Sequence, residues 1–153
     1  MCLLFPLRKT EFTVENSHFT VANDTLIPEN TAYAPYQGYV DRHDLSTADR
    51  IAEVKENNGV LPSLGMIQLT FQDELPRSVT WKTFDRYGTA DKNDKKIITN
   101  PADVTILNID MPLGLALNSS LATAHEWYVE ITCVYSDRTV AYLLVMEIPP
   151  ITP

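Results

Sequence analysis

The strongest constraint on what this chain can fold into lies in residues 127–148. Trp127, Val129, Ile131 and Cys133 share one side of a period-two run, and Ser136-Asp137-Arg138 then makes a turn. After the turn, Val140, Tyr142, Leu144 and Met146 alternate with Ala141, Leu143 and Val145. The pattern predicts an antiparallel hairpin whose second strand is apolar on both faces. Such a strand is stable only inside a sheet that is covered on both sides. The chain must therefore build a layered β structure around this segment, and the prolines at 149, 150 and 153 end the ladder.

Other strands are weaker copies of the same signal. Ile67, Leu69 and Phe71 alternate with Gln68, Thr70 and Gln72, and Val79 and Trp81 share a side of the next run. With Glu74-Leu75-Pro76-Arg77 between them, these two runs are expected to form an antiparallel pair. Residues 104–109 are β-branched and apolar, and 113–124 fit a bent strand and a short helix equally well. Residues 85–100, rich in Lys and Asp around Gly88, read as an exposed loop or hairpin tip. Upstream, 11–14 and 18–22 read as two short strands about an Asn16-Ser17 turn, and 28–38 as an irregular, Tyr-rich segment. One helix is predicted: Ser46 is its N-cap with Asp49 three residues on, Leu45 precedes it, Ile51 and Val54 give a narrow apolar stripe, and Gly59 ends it. About three turns are not stable alone, so the helix lies on the sheet.

The expected fold is mainly β, an antiparallel β-sandwich with one short helix in a connection; an α+β sheet covered on one face is the second choice. A length of 153 residues suits a single domain. Within it, 1–36 are expected as irregular N-terminal strands and loop, 37–148 as the sandwich, and 149–153 as a Pro-rich tail.

Composition removes function classes. Twelve Lys and Arg against 20 Asp and Glu leave a formal charge of −8, without the cationic surface that nucleic acid or anionic lipid requires. No apolar run approaches the roughly 20 residues of a spanning helix. Three His, two Cys and five Gly leave little for metal sites or phosphate-cradling loops. The motifs G-x-S-x-G, G-x-G-x-x-G, H-E-x-x-H, C-x-x-C and the P-loop are all missing. Accordingly no catalytic residue, metal ligand or cofactor is expected.

Some residue groups are candidates all the same. Asp41-Arg42-His43-Asp44 is the densest titratable cluster, and a His between carboxylates suits general acid/base work in a small hydrolase or lyase; a solvated approach to the helix is the plainer reading. Asp91 and Asn93 faintly resemble the start of a calcium loop, but the Gly and Glu that such a loop needs are lacking, so a surface turn is expected. His18, His43 and His125 show no ligand spacing. Tyr33, Tyr36 and Tyr39 recur every third residue and offer either a recognition surface or rings packed on the core. Asn23-Asp24-Thr25 and Asn118-Ser119-Ser120 match glycosylation acceptors, a pattern too common to use. Cys133 reads as a buried thiol. Cys2, directly after Met1, is what remains of a bacterial lipoprotein cut ahead of its lipidated Cys, or else a start by chance.

A short helix followed by Asn58-Gly59, the strand at 66–73, the Leu75-Pro76-Arg77-Ser78-Val79-Thr80 step, a charged tip and the closing pair at 127–133 and 142–145 together resemble immunoglobulin-like modules of Gram-positive bacteria. Such modules occur in cell-surface lipoproteins and in the extracytoplasmic part of β-lactam-sensor-type membrane metallopeptidases. The resemblance covers roughly residues 37–148 and implies export and a β-sandwich, with no activity to carry over. Ile131 stands two residues before Cys133, so the tyrosine corner of true immunoglobulin domains is missing. The expected function is a non-enzymatic, extracytoplasmic binding or sensing module, membrane-associated only through an anchor and monomeric or weakly dimeric. Its partner is an unknown protein or small molecule, met through Tyr33, Tyr36 and Tyr39. A cytoplasmic subunit or virus-derived oligomeric structural protein that buries the two-faced last strand at an interface is a further alternative.

Overall fold

The computed structural model describes residues 15–41, 45–62, 64–85, 90–97, 105–109 and 125–148, with the side chains of 15, 16, 85, 90–97, 125 and 148 outside the description. In chain order the elements are β1 (Glu15–Ala22), β2 (Thr25–Pro28), β3 (Tyr36–Gln37), β4 (Tyr39–Val40), α1 (Thr47–Asn58), β5 (Leu61–Pro62), β6 (Leu64–Phe71), β7 (Ser78–Asp85), β8 (Ala90–Ile97), β9 (Thr105–Asn108), β10 (His125–Val134) and β11 (Thr139–Ile148). They form two sheets. The first runs β3-β2-β1-β6-β9 and the second β4-β11-β10-β7-β8, with β5 also beside β11. All pairings are antiparallel except β1 with β6 and β5 with β11.

The closing hairpin is as its pattern demands: Trp127 pairs with Met146, Val129 with Leu144, Ile131 with Tyr142 and Cys133 with Val140. Every residue from 140 to 146 is buried. One face of β11 joins a single apolar cluster to which both sheets contribute, through Phe19, Leu26, Ile67, Leu69 and Leu107 from the first and Val79, Trp81, Trp127 and Ile131 from the second. Its other face carries Leu143, which lies under α1 beside Val54. The two-faced strand is therefore covered on both sides within the chain. Trp81 Nε1 donates to the Asn108 carbonyl at 3.1 Å, tying β7 of one sheet to β9 of the other.

The helix also follows its sequence signals. The Asp49 backbone N–H donates to Ser46 Oγ at 3.1 Å, and Gly59, at φ 77°, turns its N–H back to the Val54 and Lys55 carbonyls. That left-handed conformation is the one an L side chain resists.

Three local expectations are corrected. First, β6 and β7 do not pair, because they lie in different sheets and residues 72–77 cross between them. Pro76 is buried in that link, and the link offers none of the Gly or Asn that a tight hairpin needs. Second, 90–97 form a strand paired with β7, not a loop. It is the edge of its sheet among the described strands, and at an edge a strand tolerates dense charge. Third, Asn16-Ser17 is not a turn: β1 runs through it, alongside β6. The real turn is Asn23-Asp24, both at positive φ (52° and 55°), the two-residue hairpin connection that Asn and Asp accept. The N-terminal strands β1 and β2 thus belong to the first sheet, which begins well before residue 37. Residues 11–14, 113–124 and 149–153 lie outside the described residues.

The core holds a testable irregularity. Tyr142 is fully buried, and its hydroxyl has no hydrogen-bond partner. Removing a satisfied buried hydroxyl destabilises, but removing an unsatisfied one relieves its desolvation penalty. Tyr142→Phe is accordingly expected to be neutral or to gain up to about 1 kcal/mol in a urea melt; a loss of more than that would show a hidden partner.

Candidate functional site

Residues 36–39 and α1 stand side by side over β11 and leave a cleft of about 270 Å³ between them. Tyr36, Gln37, Gly38 and Tyr39 form one wall, Leu45, Glu53, Val54, Asn57 and Asn58 the other, and Leu143 lies beneath. The walls are cross-linked. Tyr39 Oη donates to Glu53 Oε1 at 2.9 Å, the Arg50 guanidinium carbon lies 5.1 Å from the Tyr39 ring centre, and Asn58 Nδ2 donates to the carbonyls of Ala34 (3.3 Å) and Pro35 (3.0 Å). Lys55 Nζ pairs with Glu126 Oε2 at 2.6 Å, fixing the helix to β10. Partial burial and the bond to the Glu53 carboxylate push the Tyr39 phenol up to about 12, so it remains a neutral donor. The chemistry on offer is amide and phenol hydrogen bonding over an apolar floor, with one carboxylate and no cation among the described lining residues.

The tyrosine repeat is thus split by the fold. Tyr36 is buried, edge-on to Phe19 with ring centres 6.5 Å apart, which corrects its place on an exposed recognition surface. Its position opposite Leu26 in the β2–β3 pairing turns the ring inward. Tyr33 is half-buried against the core, and Tyr39 is half-buried at the cleft. The spacing of three shows that Tyr residues recur, but which of them point inward depends on β3 joining the first sheet and β4 the second. The helix-side residues Glu53, Asn57 and Asn58 were not legible as a site, because on the sequence they read as an ordinary polar helix face.

A second recess, of about 370 Å³, lies at one end of the sheets and is lined by Asn23, Asp24, Asp73, Glu74, Tyr135 and Arg138 among others. Arg138 is its hub. Nε and Nη2 clasp Asp24 at 2.7–3.2 Å, Nη1 reaches Glu74 at 2.9 Å and Asp137 at 2.8 Å, and the guanidinium carbon sits 4.3 Å from the Tyr135 ring centre. These carboxylates engage four of the five N–H donors of Arg138 and neutralise its charge, which leaves it poorly placed to hold a ligand anion. It acts as a clamp that joins the β1–β2 turn, the 72–77 crossing and the β10–β11 turn.

Of the remaining candidates, Asp41 is exposed, at φ 47°, with its N–H on the Thr139 carbonyl. Arg42, His43 and Asp44 lie outside the described residues, as do Cys2 and residues 118–120. Asp91 and Asn93 lie on β8, with side chains outside the description. His18 Nε2 is 2.8 Å from Thr70 Oγ1 on the outer face of the first sheet. Among the described residues no group of three His, Cys, Asp or Glu could hold a metal ion, and no helix is long and apolar enough to cross a membrane.

Cys133 is a free, fully buried thiol, and burial pushes it from the ordinary value near 9.0 up to about 12. It is expected to resist thiol reagents at pH 8 until the protein is unfolded. The unfolded chain releases the thiol proton near pH 9 while the folded chain holds it to about 12, so stability is expected to fall as pH rises through that window. Denaturant melts between pH 8 and 11 that show no loss would contradict this.

No protein-family model, curated protein or solved structure matches this chain.

Proposed function

We propose that the chain is a non-enzymatic binding module of immunoglobulin-like strand order, and that it takes a small uncharged or cationic ligand in the cleft between α1 and residues 36–39. The cleft carries this reading. It offers convergent phenol and amide groups above apolar side chains, as binding pockets do, and its volume is near the lower end of their range. Glu53 is the one charged group among the described lining residues, and it argues against an anionic ligand.

Strand order supports the scaffold half of the proposal. In immunoglobulin-type domains strands B and E share one sheet, and C, C′, F and G share the other. From β6 to β11 the chain visits the sheets in that sequence, β6 and β9 in the first and β7, β8, β10 and β11 in the second. On that reading β7 corresponds to strand C and β10 to strand F, and Trp81 on β7 and Cys133 on β10 are the candidates for the strand-C Trp and the second Cys. The parallel β1–β6 pairing and the added β2 and β3 depart from it. Export, and anchorage through a lipid on Cys2, belong to the same proposal and rest on the resemblance; detergent-phase partitioning of the native protein tests them.

Amide chemical shifts recorded while titrating a fragment set of neutral, cationic and anionic members test the site. Neutral or cationic fragments are expected to move residues 36–39, 53–58 and 143, with Tyr39→Ala and Glu53→Gln weakening binding at least tenfold. Binding confined to anionic fragments, or shifts centred on the Arg138 end, would overturn the proposal.

A further inference from the structure

Arg50 is 6% exposed, and no carboxylate is paired with it among the described residues. Its Nε has no hydrogen-bond partner, and what it meets is the face of the Tyr39 ring, 5.1 Å from the guanidinium carbon. A guanidinium taken this far out of water is costly unless an anion meets it, and chains bury Arg almost only in pairs. An apolar side chain would pack beneath the helix at less cost, so the charge itself needs a reason. Glu53 stands three residues on, close enough along a helix for an ion pair. The two do not pair: Glu53 Oε1 accepts the Tyr39 hydroxyl proton at 2.9 Å, and Arg50 turns to the ring. Tyr39 thus holds two opposite charges apart, one at its hydroxyl and one at its face. Arg50, Glu53, Val54 and Asn57 fall at i, i+3, i+4 and i+7, so Arg50 belongs to the side of α1 that walls the cleft, one turn nearer the N-terminus. Its neighbours there are Tyr39 and, at the position before the N-cap, Leu45, both of them lining residues, and Arg50 stands just behind them.

We infer, on the reading that the cleft holds a ligand, that the ligand is a small zwitterion whose ammonium meets Glu53 and whose carboxylate meets Arg50. An amine alone leaves Arg50 unpaired, and an acid alone meets the Glu53 carboxylate. A zwitterion answers both side chains and adds no net charge to a chain that carries −8. The guanidinium fork matches a carboxylate through two parallel hydrogen bonds, and Glu53 keeps Oε2 for the ammonium. Side chains three apart on a helix have their Cβ atoms about 5–6 Å apart, a span that an ammonium and a carboxylate on one carbon bridge. A free amino acid is the plainest molecule of that chemistry. The apolar floor at Val54 and Leu143 suits an aliphatic side chain on it. Because Tyr39 already separates the two charges, such a ligand enters without breaking an ion pair.

Nitrogen–proton spectra that show the backbone amides and the Arg50 Nε–H test this with three probes of one skeleton. They are leucine, 3-methylbutylamine, which lacks the carboxylate, and 4-methylpentanoate, which lacks the ammonium. Leucine is expected to move the amides of 36–39 and 53–58 and the Arg50 Nε–H, and to bind roughly tenfold or more tightly than either relative. Arg50→Met should remove the advantage of leucine over the amine, and Glu53→Gln its advantage over the acid, a crossed pattern that a merely structural role would not give. With no ion pair to lose, Arg50→Met should also melt no lower than the native protein when both are free of ligand. Should Arg50→Met fail to fold, Arg50→Lys, which keeps the charge without the fork, reads a smaller loss of the same sign. Leucine binding no tighter than the amine would overturn the inference and leave the cleft as a ligand site. So would cleft amides that answer neutral fragments but not leucine. Cleft amides that answer no fragment and none of the three probes would overturn the inference and the ligand site together.

Discussion

Gly38→Ala is expected to lose about 3 kcal/mol or more of stability and ligand binding in the cleft with it. A Cβ at this position would overlap Val140 Cγ1, lie 2.9 Å from Tyr142 Cε1 and sit 2.8 Å from the Asp24 carbonyl oxygen. None of the three has room to retreat. Val140 and Tyr142 are fully buried on β11, and the Asp24 carbonyl is held by the Gly38 N–H at 2.9 Å inside a turn already at positive φ. Gly38 is the single residue between β3 in the first sheet and β4 in the second, so any shift that relieves the overlap pulls a strand from one sheet. It also moves Tyr36 and Tyr39, two residues to one side and one to the other of the cleft wall. Urea denaturation of Gly38→Ala, Val140→Ala and the double variant checks the mechanism. If overlap is the cause, Val140→Ala recovers part of the Gly38→Ala loss and the cycle is non-additive. Additive losses would place the cause elsewhere.

Trp127→Ala is expected to cost about 3–5 kcal/mol, the range for deleting a large buried aromatic. Trp127 is 1% exposed and lies on β10, the central strand of its sheet, between β7 and β11 at the register of Asp85 and Met146. Both neighbouring strands lose packing when the indole is removed, and a sheet fixed on both sides collapses poorly around the void. Against a typical domain stability of about 5–15 kcal/mol, the variant is marginal, with a midpoint lowered by roughly 10 °C or more for a chain of this size. Ile106→Ala, at an exposed position, is the control and should change stability by less than about 0.5 kcal/mol. A Trp127→Ala loss no greater than the control's would contradict the placement of Trp127 in the core.

The candidate surfaces were legible only in part. Tyr39 was visible as a candidate, and the structure places it at a cleft, whereas Glu53, Asn57 and Asn58 join that cleft only because α1 lies over β11. Arg138 looked like a turn residue; its clamp on Asp24 and Glu74 spans 114 and 64 positions of chain, a separation that no local pattern carries.

What the sequence determined by itself was local. Ser46 and Gly59 set the ends of α1 through hydrogen bonds within four or five residues, and period-two alternation set which side chains of β6, β7, β10 and β11 point inward. The closing hairpin was determined too, because a four-residue connection, Tyr135 to Arg138, joins its strands and leaves little choice of partner. Tertiary structure decided which strands pair. It put β6 and β7 in opposite sheets, set β1 parallel to β6, and recruited the charged 90–97 segment as an edge strand. Alternation states that a strand has an apolar side but not what covers it, since many neighbours bury the same area equally well. Only the simultaneous packing of all the strands around one core selects among them.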